Sequence, residues 1–181
     1  MITPTWSLRR LHALDDRHID QLADVLIDRV EGGASVSFMR PLPHQRALAF
    51  WHGVMDSARR GERIVLVAED AASDAILGTV QLLLATPENQ PHRADVAKML
   101  VHRRARRRGV GAALMQAAEA AARDAGRTLL VLDTVTGGDA ERLYSRLGWQ
   151  RVGVIPGYAL WPDGALCDTT YFYKVLAAAP P

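Results

Sequence analysis

The chain has 181 residues, 49% of them apolar and 23% charged, with a formal net charge of +2 at neutral pH, the balance of one globular domain (1–181, core about 8–175). No apolar run is long enough to span a bilayer, and Arg9, Arg10, Asp15 and Asp16 interrupt any leader-like stretch, so a cytoplasmic protein without membrane contact is expected. The single cysteine, Cys167, excludes an internal disulfide and a thiolate cluster, and the six histidines lack metal-ligand spacing, so no metal is expected either.

Residues 6–11 predict an opening strand. Asp15 or Asp16 caps a helix with Ile19, Leu22, Leu26 and Val30 on one face, ended by Gly32 and Gly33. Residues 33–43 then form an irregular connection bearing Ser35, Phe38 and Met39, side chains that can line a small-molecule pocket or simply pack the loop. A second helix fits 44–60, with Leu48, Trp51, Met55 and Ala58 inward and Gly61 as terminator. Residues 64–69 and 76–85 read as an antiparallel hairpin turned at Asp70 to Asp74, and 93–101 as the next strand. A helix follows over 109–125, with Glu119 and Arg123 at i,i+4 and Gly126 beyond its end. Residues 128–132 form an apolar strand, and 139–147 a short helix stopped by Gly148. Strands over 149–155 and 169–175 close the sheet, joined through a turn at Pro162-Asp163-Gly164. Seven strands with about four helices in this order make a mixed, largely antiparallel α/β fold rather than a doubly wound one.

Five arginines fall in six positions, Arg103, Arg104, Arg106, Arg107 and Arg108, so the positive charge is local. No aromatic residue interleaves with them, as a nucleic-acid surface would require, and the run ends in Gly109-Val110-Gly111 at a helix start. Glycines there let backbone approach an anion, the first-turn N–H groups lack intrahelical partners, and guanidinium groups add charge-assisted bonds. The segment is therefore a pyrophosphate cradle, Arg106-x-x-Gly109-x-Gly111. It is no P-loop, because no Lys-Ser/Thr pair follows either glycine, and no dinucleotide fingerprint, because Leu114 replaces the third glycine.

This motif after a strand, together with the element order, resembles the GNAT N-acetyltransferase superfamily over nearly the whole chain. The resemblance implies acetyl-CoA as donor, held by Met99, Leu100, Val101 and residues 106–111, Arg106, Arg107, Arg108, Gly109, Val110 and Gly111. It also implies a V-shaped splay between the strand ending near Val101 and the strand 128–132. Tyr144 matches the family's tyrosine that gives a proton to the CoA sulfur, although an amphipathic helix can carry such a residue as plain core. Two carboxylates compete as base. Asp133 directly follows the apolar strand at the mouth of the splay, where it can also cap the turn 134–138. Asp95 matches the glutamate base of histone-acetylating members but can equally pair with an arginine. Asp133 is preferred.

Segments outside the cofactor loop sharpen the resemblance. Gly32-Gly33-Ala34-Ser35-Val36 with Phe38-Met39, Leu132-Asp133-Thr134, and Pro156-Gly157-Tyr158 with Pro162-Asp163-Gly164 are similar to the toxin-resistance branch, the tabtoxin-resistance acetyltransferases. This implies a small amino-acid-like amine as substrate, bound by Ser35, Phe38, Met39, Asp133 and Tyr158 and acetylated by direct attack. A protein or peptide amine as acceptor, and a non-catalytic acetyl-CoA sensor needing neither Asp133 nor Tyr144, stay open beside it. Family members are often dimers, and the strand 169–175 is the expected site of pairing or exchange between two copies. Cys167, with no positive neighbour in sequence, is expected to be a structural thiol.

Overall fold

The computed structural model describes residues 5–11 and 16–177. Strand β1 (Trp6–Leu11) precedes helix α1 (Asp16–Glu31), whose buried face includes the expected Ile19, Leu22, Leu26 and Val30. Asp15, the alternative cap, lies outside the described residues. The helix stops where Gly33 takes a φ of 85°, a conformation open to glycine at little cost. In α2 (His44–Arg59) the inner face is centred on the fully buried Trp51, with Ala47, Val54 and Met55 around it. Leu48 and Ala58, expected inside, are half-buried at its edges.

Strands β2 (Arg63–Asp70) and β3 (Ile76–Leu83) form the expected hairpin. The Asp70 carboxylate accepts the N–H groups of Ala72 (3.1 Å) and Ser73 (3.2 Å), which fixes the turn. β4 (Arg93–Val101), α3 (Val110–Asp124), β5 (Leu129–Val135), α4 (Asp139–Arg146), β6 (Gln150–Leu160) and β7 (Leu166–Val175) follow.

One sheet contains all seven strands in the order β1-β2-β3-β4-β5-β7-β6, antiparallel throughout except for β4 against β5. Alternation along β2 divides the core into two layers. Ile64, Leu66 and Ala68 face α3, while Val65 and Val67 face α1 and α2. β7 lies between β5 and β6, so both its edges are used within the chain. Among the described residues, the sheet edges open to another copy are those of β1 and β6, so the 169–175 strand offers no free edge for the expected pairing. No described helix is long and apolar enough to cross a membrane, and no three described His, Cys, Asp or Glu side chains are grouped to hold a metal ion.

Three strands run further than their apolar patterns suggest, β7 by beginning at Leu166 rather than at 169. β5 continues through Asp133 to Val135 because its ladder with β7 continues, ending at Val135 opposite Thr169. β6 passes through Pro156-Gly157 to Leu160, which an edge strand tolerates by skipping register between Ile155 and Ala159.

Candidate active site

β4 and β5 pair at three positions, Arg93 with Leu129, Ala94 with Leu130 and Asp95 with Val131, and then part. The cause lies in β4. Gln81 pairs with Ala97 and Thr79 with Leu100, so Lys98 and Met99 together oppose Val80 in a β-bulge, with Lys98 at a φ of 48°. The extra residue reverses the alternation: Ala94 and Val96 face the α3 layer before it, and Met99 and Val101 do so after it. β5 cannot follow the bend, because β7 holds its other edge along its whole length. A slot therefore opens between Met99–Val101 and Asp133–Val135, the splay expected from the resemblance, and leaves β4 backbone groups there without a neighbouring strand.

On the α3 side of this slot is a cavity of about 610 Å³ lined by Met99, Val101, Arg106, Arg107 and residues 109–112. Gly109 caps α3 at a φ of 79°. A Cβ on Gly111 would stand 3.3 Å from Leu143 Cδ2, so glycine there keeps the first helical turn accessible. The arginine run divides. Arg106 and Arg107 line the cavity, whereas Arg103 binds the Asp28 carboxylate, Arg104 donates to the Ile76 carbonyl (3.2 Å) and Arg108 to the Thr5 hydroxyl. Arg108 thus departs from its expected place: its side chain leaves the cavity because a bond to Thr5 holds it. Arg29, Arg142 and Arg146 complete the basic lining. The i,i+4 spacing of Arg142 and Arg146 was visible in the sequence, but nothing there sets α4 or α1 beside the loop. Backbone N–H groups, glycine and several guanidinium groups are the donor set that a pyrophosphate requires.

Across the slot lies a second cavity of about 630 Å³ that shares Arg29, Met99, Arg106, Asp139 and Ala140 with the first. It is lined by Ser35, Phe38, Met39, Leu100, Asp133, Tyr144 and Tyr158, which brings the expected acceptor residues together. Ser35 Oγ donates to the Leu160 carbonyl (2.7 Å), and the Arg40 N–H to the Pro162 carbonyl (3.1 Å), so the 33–43 loop is tied to the β6–β7 turn. Thr169 Oγ1 lies 3.2 Å from Asp133 Oδ2, its donor partner, and the same hydroxyl is 2.9 Å from the Thr134 carbonyl. Asp133 is a strand residue oriented by β7, not the cap of the following turn. Asp95 stands at the closed end of the splay, bonded to Arg93 at 3.1 Å, and lines neither cavity.

Tyr144 is 5% exposed, with its ring 6.0 Å from those of Trp149 and Phe172. Its hydroxyl has no hydrogen-bond partner among the described residues. Burial, and then the negative charge of Asp133, push its pKa well above the ordinary value, so the phenol stays protonated at neutral pH. Tyr171 donates to Tyr158 (2.8 Å), a bond that pushes its own pKa up to about 12. The lining residues that were not anticipated include a thiol and an ammonium. Cys167 is buried and lies 3.6 Å from Ser35 Oγ, and Lys98 enters from the bulge, whose position no sequence pattern discloses.

The raised pKa of Tyr144 has a consequence for stability. Below pH 10 the phenol is protonated in both folded and unfolded chains and contributes no pH dependence. Above it the unfolded chain ionises first, so folding weakens by up to about 1.4 kcal/mol per pH unit. Urea unfolding at pH 9 and 11 is expected to show a smaller alkaline loss for Tyr144→Phe than for the unaltered chain; equal losses would mean that the phenol ionises freely in the fold.

Residues 61–151 match the family model described as an acetyltransferase (GNAT) domain. The fold recurs in solved structures of low sequence identity. One, assigned as an acetyltransferase of Salmonella typhimurium and determined with its cofactor acetyl-CoA, is 19% identical with a TM-score of 0.76, over 98% of each chain. Another, assigned as a phosphinothricin N-acetyltransferase, is 19% identical with a TM-score of 0.76, over 95% of this chain and 99% of its own. The ribosomal-protein-S5-alanine acetyltransferase of Vibrio fischeri is 13% identical with a TM-score of 0.80, over 100% of this chain and 98% of its own.

Proposed function

We propose the acceptor and the residue roles from a fixed premise: the chain belongs to the acetyltransferase (GNAT) family and is an acetyl-CoA-dependent acetyltransferase. The acceptor is the amine of a small amino-acid-like molecule, in line with the resemblance to the toxin-resistance branch and with the neighbour assigned to phosphinothricin. One observation carries this reading. The basic cavity over Gly109–Gly111 and the cavity bearing Asp133 and Tyr144 share a wall at Arg29, Met99, Arg106, Asp139 and Ala140. The tie between the 33–43 loop and the β6–β7 turn closes one side of the acceptor cavity, which favours a small molecule over an extended peptide.

Acetyl-CoA supplies an acetyl group activated as a thioester. Arg106, Arg107, Arg142 and Arg146, with the first-turn N–H groups of α3, hold its pyrophosphate. The open β4 backbone at Met99, Leu100 and Val101 holds the amide-bearing arm as a strand would be held, and orients the carbonyl toward the acceptor. Asp133 takes the proton that the acceptor ammonium must lose, and Tyr144 Oη delivers one to the departing sulfur. The carboxylate of Asp95 is turned to Arg93 and has no role at the site. Cys167 needs none either, since the amine attacks directly.

Thiol release is to be measured against amino acids, dipeptides, polyamines, aminoglycosides and alanine-starting peptides, with acetyl-CoA binding alongside. Turnover is expected with amino-acid-like amines. Asp133→Asn should lower kcat/KM about tenfold or more at pH 7, and the deficit should shrink as pH passes the pKa of the acceptor amine. Preference for the peptides would replace this acceptor, and binding without turnover on any amine would leave a sensor.

A further inference from the structure

Lys98 sits on the β4 bulge at a φ of 48°, a backbone state that disfavours a residue with a Cβ and recurs where a side chain is aimed for function. Met99 lines both cavities, whereas Lys98 lines only the acceptor cavity. Its Nζ donates to Ser37 Oγ (3.0 Å) and lies 5.8 Å from the centre of the Phe50 ring. These are neutral partners: among the described residues, no carboxylate is within ion-pair distance of it. Arg93, Arg103 and Lys174 each have such a counter-ion. Burial lowers the pKa of Lys98, Asp133 across the slot opposes that change, and Arg63 adds to it. A half-buried ammonium with only neutral hydrogen-bond and ring partners is a ready site for an anion.

Asp133 and Lys98 stand on the two diverging strands, one acidic and one basic, and both line the same cavity. We infer that Lys98 binds a carboxylate of the acceptor, so that the substrates are amines bearing an acidic group, amine toward Asp133 and carboxylate toward Lys98. This rests on the acetyl-transfer reading above. It makes Lys98 a specificity residue that touches substrate and leaves proton transfer to Asp133 and Tyr144.

Matched acceptors test it: amino acids and their carboxamides, each with the unaltered enzyme, Lys98→Met and Lys98→Arg, read by thiol release and by thermal shift in the presence of CoA. Lys98→Met is expected to lower kcat/KM for the acids by about ten- to a hundredfold through KM, with the amides and acetyl-CoA changed less than about twofold. Lys98→Arg should keep most of the preference. An equal loss for acids and amides would assign Lys98 to holding the Ser37 loop and overturn the inference, as would a raised KM for acetyl-CoA alone. Transfer to amides as efficient as to acids, with no change in that ratio in Lys98→Met, overturns it while leaving acetyl transfer intact. If no amine is acetylated but acids stabilise the unaltered protein and not Lys98→Met, the carboxylate site stands and the transfer reading fails. If neither effect is seen, both fail.

Discussion

Replacing Tyr144 with Phe is expected to lower kcat by about 10²- to 10³-fold, the range of a lost general acid, while the KM for acetyl-CoA stays within about twofold. The two effects separate because the phenol and the ring do different things. The ring packs against Trp149 and Phe172, and Phe keeps that packing. Among the described residues the hydroxyl has no hydrogen-bond partner, so its removal leaves none of them unsatisfied and should change stability at neutral pH by less than about 0.5 kcal/mol. Burial keeps the phenol protonated. The same desolvation raises the proton affinity of a thiolate leaving nearby, so donor and acceptor rise together. Steady-state kinetics with a saturating acceptor decides the matter: an unchanged kcat would assign the proton to water and leave Tyr144 as core.

Why this pair of residues was legible, and others were not, follows from the range of the forces that place them. Tyr144 lies on a helix whose periodicity and Gly148 stop are local signals, and Asp133 ends an apolar run. Both reach the slot because a strand's end and the following helix move as one unit. The φ of Arg107 and the left-handed Gly109 are local too, so the anion cradle could be read directly. The arginine run could not be divided in advance, because Arg103 and Arg108 find Asp28 and Thr5, partners distant in sequence. Lys98 shows the same limit more strongly. Alternation in 93–101 places it with Ala94 and Val96, but the bulge, imposed by pairing with β3, turns it to the acceptor cavity. Asp95 was a reasonable candidate by position on that strand, yet the three-residue pairing with β5 holds it at the closed end.

Glu119→Ala is expected to destabilise the fold by about 3–5 kcal/mol, the effect of breaking a buried ion pair from one side. Glu119 is buried on α3, where its Oε1 accepts from Lys174 Nζ (2.8 Å) and Trp149 Nε1 (3.2 Å). Lys174 in turn donates to the Leu147 carbonyl (2.7 Å), so one carboxylate joins α3, β7 and the end of α4. Truncation leaves an ammonium and an indole N–H without their acceptor, and thermal unfolding should shift down by about 10 °C or more. Glu119→Gln retains an acceptor oxygen and should cost less. The double change Glu119→Met with Lys174→Met removes both charges and should recover part of the loss, the Trp149 indole N–H and the Leu147 carbonyl still lacking these partners. Trp149 also packs on Tyr144, so loss of its anchor should reach the Tyr144 ring and, on the proposed role of that residue, lower kcat in Glu119→Ala even at temperatures where the variant is fully folded. A variant with unchanged melting would show that the Glu119 cluster is solvated in solution.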